Sequence, residues 1–245
     1  MTRYAYDLHV HSCLSPCADD DMTPANIAGM ASLNGLQLLA LTDHNSCGNC
    51  PAFMQACRKY GIVPVPGMEL CTAEEIHLVC LFPELEKALD FDREVRKHLP
   101  PVKNRREIFG NQLVVNELDE VTGEEEAFLL SATDLSLSDA YSLVMSFGGA
   151  VYPAHIDRDA NGIIAVLGTV PRDPPFAAVE LRDAENRDSY SERFGLKDKI
   201  FVFSSDAHNL WSIQEGAHSL ELFDEPYSSA LVRRSLISLL RGDAR

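Results

Sequence analysis

Short apolar runs alternate with helix-like stretches from one end of this chain to the other, and that rhythm limits the folds open to it. Strand-like segments fall at residues 4–11, 36–42, 62–70, 76–82, 149–154, 177–181 and 200–204, with an eighth at 219–223. Helix signals lie between them. Thr23-Pro24 supplies an N-cap and a first-turn proline, and Asn34-Gly35 closes that helix. Residues 51–60 end at Gly61, residues 138–147 end at Gly148-Gly149, and a last helix over 225–240 ends at Gly242. Strands alternating with helices predict an α/β architecture with a largely parallel sheet, here a distorted (β/α)7-type barrel. Residues 83–137 break the rhythm. They are charged and helix-prone, with Lys103-Asn104-Arg105-Arg106 and Glu124-Glu125-Glu126, and suggest a helical insertion in a single domain of 245 residues.

Charge and composition exclude several classes. The chain carries 21 basic and 37 acidic residues, net −16, so it repels bare phosphate backbones and is not a non-specific nucleic-acid binder. Its apolar runs are far shorter than the ~20 residues of a membrane span. Met1 leads straight into a strand-like segment, from which we expect no leader and a cytoplasmic location. The seven cysteines are an odd set, expected to be buried thiols or metal ligands rather than disulfides.

The informative feature is the placement of histidine. Six of the eight fall in a strand or at its end: His9, His11, His44, His77, His155 and His208. In α/β folds that rim is where active sites are built. Asp7, His9 and His11 share one face if residues 4–11 are a strand, and two imidazoles about 6–7 Å apart on that face can grip one ion. Thr42-Asp43-His44-Asn45 follows the second strand. Gly67-Met68-Glu69 ends the third, where Glu69 can bridge two metals, and His77 lies on the next. Pro153-Ala154-His155 and Ser205-Asp206-Ala207-His208 complete the set.

In that order the segments resemble the PHP (polymerase and histidinol phosphatase) superfamily, with its D-x-H-x-H, T-D-H, G-x-E, A-H and S-D-x-H motifs. The match runs from residue 7 to residue 208. It implies a metal-dependent phosphoesterase with two or three divalent ions (zinc, iron or manganese). By resemblance, His9, His11, Glu69 and Asp206 hold a first ion; Glu69, His77 and His155 hold a second; His44 and His208 hold a third. Asp7 is implied as the partner of a ligand histidine's ring, and Asp43 as a supporting residue beside His44. A metal-activated hydroxide would attack the phosphorus, with Asp206 or His208 handling a proton and Arg158, in the A-H-x-x-R pattern, meeting the phosphate. The expected substrate is a small phosphorylated metabolite or mononucleotide, with exonuclease action on short oligonucleotide ends as the alternative.

Where the family often has a histidine or aspartate ligand in the loop after the first motif, this chain has Cys17, with Asp19 and Asp20 close behind. A thiolate there would favour zinc or iron. Cys47 and Cys50 form a C-x-x-C that with Cys13 and Cys17 would make a separate four-cysteine site; core burial is the simpler expectation. Arg182, His98 and His218 are expected at the surface, and residues 103–106 as a solvated helix face able to lean over the site. Two other readings stay open: a non-catalytic metal or phospho-ligand site, and amidohydrolase-type C–N hydrolysis, which shares H-x-H but typically wants a strand-end lysine not evident here.

Overall fold

The computed structural model describes residues 1–243. In chain order the elements are β1 (Thr2–Asp7), α1 (Pro24–Leu33), β2 (Leu38–Leu41), α2 (Cys50–Lys59), β3 (Val63–Cys71), β4 (His77–Leu81), α3 (Leu85–Val95), α4 (Arg106–Phe109), β5 (Leu113–Val115) and β6 (Val121–Glu124). Then come α5 (Leu137–Ser146), β7 (Ala150–Pro153), α6 (Ile163–Leu167), β8 (Ala178–Leu181), α7 (Arg187–Phe194), β9 (Ile200–Phe203), β10 (Ser219–Leu222) and α8 (Ser229–Arg241). Helix starts follow their capping residues: Thr23, Ser136 and Ser228 each accept a backbone N–H from the first turn. Ser228 explains why α8 begins four residues later than the sequence suggests.

Six strands form one curled sheet in the order β10-β1-β2-β3-β4-β7, and β8 pairs with β9 beside it. The gap between β7 and β1 is spanned by that pair. Ile156 N donates to Glu180 O on one side, and His11 N donates to Ala207 O on the other. Seven strands thus encircle an inner apolar layer, with β10 added outside the ring against β1.

The sheet is mixed rather than largely parallel. β1–β2, β2–β3 and β8–β9 are parallel, whereas β3–β4, β4–β7 and β1–β10 are antiparallel. The reason is local. Residues 72–76 close a tight turn by Glu75 N to Thr72 O and Thr72 N to Ile76 O, far too short for the crossover that a parallel connection needs. The reversal puts the first residue of β4, His77, at the same rim as the last residues of β3.

Every residue of β2 and β3 is buried, because these strands pack on both faces. The inner layer includes Tyr4, Tyr6, Leu38, Ala40, Val65, Val79 and Tyr152, and α8 adds Val232, Leu236, Ile237 and Leu240 to it. The outer faces pack on α1, α2, α3 and α5 through Leu39, Leu41, Phe53, Phe91 and Val144. Residues 83–137 are helical at α3 and α4; the β5–β6 hairpin and the turns that follow it are a departure from the helical insertion that the charge pattern suggests.

Gly67 sits where β3 and β4 approach closely: a Cβ there would lie 2.7 Å from Cys80 O and 2.8 Å from Leu81 Cδ2. Gly67→Ala is therefore expected to destabilise the fold by about 1–3 kcal/mol. A lowered melting temperature in calorimetry checks this; an unchanged one contradicts it.

Candidate metal centre

The sequence places the first motif on a strand, but the β1 ladder ends at Asp7 and His9 and His11 lie beyond it. Side-chain hydroxyls take over there: Leu8 N donates to Ser204 Oγ and Val10 N to Thr42 Oγ1. The two imidazoles still converge, with His9 Nε2 and His11 Nε2 3.2 Å apart.

Glu69, 1% exposed, is at the centre. Its Oε1 is 3.3 Å from His9 Nε2, 2.8 Å from His77 Nδ1 and 3.0 Å from His155 Nε2. Its Oε2 is 3.4 Å from His11 Nε2 and 2.9 Å from His44 Nδ1. Asp206 Oδ1 lies 3.5 Å from His9 Nε2 and 3.2 Å from His11 Nε2. Three sets of donor atoms lie within 4.8 Å of one another: His9, His11, Glu69 and Asp206; His44, Glu69 and His77; and His11, His44 and His208.

The donor chemistry fits cations. Asp43 accepts the Ser15 hydroxyl proton, so Ser15 Oγ accepts from His11 Nδ1 at 3.0 Å and leaves Nε2 facing the carboxylates. His208 Nδ1 donates to Asp206 O, which leaves its Nε2 free for the donor set with His11 and His44. Glu69 Oε2 lies near His44 Nδ1 but makes no hydrogen bond of good geometry, and Glu180 Oε2 is buried without a partner, as expected where further positive charge belongs.

Electrostatics point the same way. Burial pushes the Glu69 carboxyl up, but His77, His9 and His44 outweigh it and hold it well below the carboxylate range. Asp206 is likewise held low, as His9 and His11 overcome its burial. Burial opposes a charged His77, yet Glu69 raises it to about 10. Burial of His9 and His11 is overcome by their carboxylates, so both are raised. Burial takes His44 down to about 3 and His208 to about 4, His11 reinforcing both.

Two of these residues adopt left-handed backbone, His155 at φ 29° and Asp206 at φ 53°, as does Asn45 beside His44 at φ 48°. Such strain costs about 1–3 kcal/mol per residue and clusters at functional sites.

The supporting residues differ in part from expectation. Asp7 touches no imidazole. It accepts the backbone N–H groups of His9, Ser205 and Gln214, because the bend after β1 turns its carboxylate toward main chain. The ring partner is Glu180, in β8, which accepts from His9 Nδ1 at 2.9 Å and from His155 N at 3.0 Å. One signal for it is legible in the chain: a carboxylate in the apolar run Ala178-Val179-Glu180-Leu181.

Asp43 supports His11 through Ser15, whose Oγ also accepts from His44 N. Cys17 is exposed and joins none of the three donor sets, since the tight turns of residues 12–22 direct Ser15 rather than Cys17 into them. Cys13, Cys47 and Cys50 are buried, with Cys47 and Cys50 both directed at Gly67 O, so no four-cysteine site forms. Arg158 Nη1 lies 2.6 Å from Asp206 Oδ2 with its side chain 40% exposed, and Arg182 is exposed.

Glu180→Gln is expected to weaken metal retention about 10–100-fold while leaving circular dichroism unchanged; undiminished affinity in competition with a chelator contradicts this. Since His9 is raised well above its ordinary value and His77 to about 10, they carry protons at neutral pH that a cation must displace. Metal uptake should therefore release protons and tighten as pH rises. Titration calorimetry in buffers of different ionisation enthalpy checks this, and uptake without proton release overturns it.

Comparison with known proteins agrees with this geometry. Over 74 residues the chain is 36% identical to an error-prone DNA polymerase of Symbiobacterium thermophilum, covering 30% of this chain and 7% of the polymerase. A lesion-specific endonuclease of Pyrococcus furiosus has the same fold over 99% of this chain and 57% of its own (TM-score 0.66, 16% identity). A chain from Bifidobacterium adolescentis, assigned as a metal-dependent phosphoesterase, matches over 83% of this chain and 87% of its own (TM-score 0.57, 16% identity). This chain thus spans a small part of the polymerase and little more than half of the endonuclease. The profile of the PHP domain matches residues 7–144, more than half of the sequence, and the chain belongs to the PHP domain family.

Proposed function

We propose that the protein is a metal-dependent phosphoesterase that hydrolyses a small phosphorylated metabolite, a mononucleotide or an oligonucleotide end. The observation that carries this reading is the meeting of six imidazoles with Glu69 and Asp206 at one rim of the barrel. A structural site closes with about four ligands; this cluster has more donors than that, and His77 and His208 retain 14% and 26% side-chain exposure. The polymerase and nuclease relatives favour a nucleotide; the charge of −16 disfavours long nucleic acid.

In this reading His9, His11, Glu69 and Asp206 hold one ion, Glu69, His77 and His155 another, and His44 and His208 a third. Bound divalent cations supply Lewis acidity toward phosphoryl oxygens and lower the pKa of water. The residues of the chain do the rest. Glu69 and Asp206 stay anionic and fix the donor atoms. Arg158 spends one N–H on Asp206 and offers its exposed edge to a phosphoryl oxygen, where the fork geometry suits the anion. Asp206 is held too acidic to carry a proton near neutrality. His208, neutral above about pH 4 with its Nδ1 donating to Asp206 O, would keep its Nε2 lone pair for the ion.

His9→Ala and Glu69→Ala are expected to lower phosphoesterase turnover more than a hundredfold, beyond the ~10–100-fold typical of supporting residues, with the fold intact by circular dichroism. Chelation should abolish activity, and zinc, manganese or iron should restore it. Full turnover after exhaustive chelation overturns the reading.

A further inference from the structure

We propose that Arg105, backed by the rings of Phe109 and Phe128, forms a subsite for the nucleobase and flanking phosphate of a nucleotide whose scissile ester lies at the metal centre. This rests on the phosphoesterase reading and narrows its substrate to nucleotides.

The basic run 103–106 divides by its partners. Lys103 pairs with Glu126 at 2.9 Å and Arg106 approaches Glu124 at 3.7 Å. Arg105 is exposed and has no carboxylate partner among the described residues. Its guanidinium lies over Phe109, 5.8 Å from the centroid, and Phe109 lies 4.4 Å from Phe128. An aromatic ring beneath a guanidinium shields one side of the plane and holds its orientation. The opposite side then takes a flat base, and the N–H edge takes phosphate oxygens.

Both rings are anchored to loops of the metal centre. Gly110, next to Phe109, is pressed against the 12–20 loop so closely that a Cβ would lie 2.1 Å from Pro16 O. Asn111 Nδ2 bonds Asp20 and Leu113 N bonds Cys13 O on the same loop. That loop supplies Ser15 to His11, and its Asp19 N donates to His208 O. On the other side, Leu129, next to Phe128, accepts from the amide of Asn45, the neighbour of His44. The stack is thus tied from two directions to the segments that carry His11, His44 and His208. A chain of net charge −16 needs cations at its rim to hold an anion, and Arg105 adds one to Arg158, which spends an N–H on Asp206.

The test compares wild type, Arg105→Ala and Arg105→Lys on the p-nitrophenyl ester of thymidine 5′-monophosphate and on p-nitrophenyl phosphate. Arg105→Ala should raise KM for the nucleotide ester about tenfold more than for the baseless ester, the range of one base stack, and Arg105→Lys should recover less than half of that loss. Binding of a short labelled oligothymidylate to EDTA-treated protein, followed by anisotropy, should weaken in parallel. Equal KM changes on both esters, or unchanged anisotropy, overturn the subsite. If wild type hydrolyses neither ester, the phosphoesterase reading fails while the anisotropy comparison still decides the subsite.

Discussion

A carboxylate sealed from water stays charged only if positive charge surrounds it, and Glu69 imposes that demand on the whole rim. Five imidazoles approach its two oxygens, from the bend after β1, the loop after β2, the start of β4 and the turn after β7. The cost of burying an unpaired ion is several kcal/mol, so segments distant in sequence have to assemble together or not at all. The apolar ring of strands makes that assembly rigid; the cluster in turn defines which end of the ring is chemical.

Much of this is legible in the sequence because strand-end positions are short-range information. Each motif sits within a few residues of an apolar run, so counting strands also counts the donors delivered to one rim. The β3–β4 reversal was harder to see, although five residues between two strands leave no room for a crossover. It changed the sheet from parallel to mixed without moving His77 away from the others, since reversing a strand exchanges its ends.

What the sequence hid depends on side-chain direction. Asp7 and Glu180 are both carboxylates in strands, and pattern alone assigned the imidazole to Asp7. The bend after β1 aims Asp7 at backbone amides and leaves His9 Nδ1 to a residue 171 positions away. Ser15 was invisible for a similar reason: a hydroxyl that relays Asp43 to His11 carries no signature in a loop of serines and cysteines. Cys17 stands at the spacing of a ligand, but spacing along a tightly turned loop does not fix which residue points inward.

The junction between β9 and β1 has a mechanical consequence. Where regular ladders hold β1–β2, β2–β3 and β8–β9, this joint relies on the Val10–Ala207 bridge and on polar clips from Ser204, Tyr6 and Gln214. Such a joint yields before the ladders do. The rim is therefore compliant at a place that separates Asp206 and His208 from His9 and His11, so the spacing of these donors is set by side-chain clips instead of by a ladder.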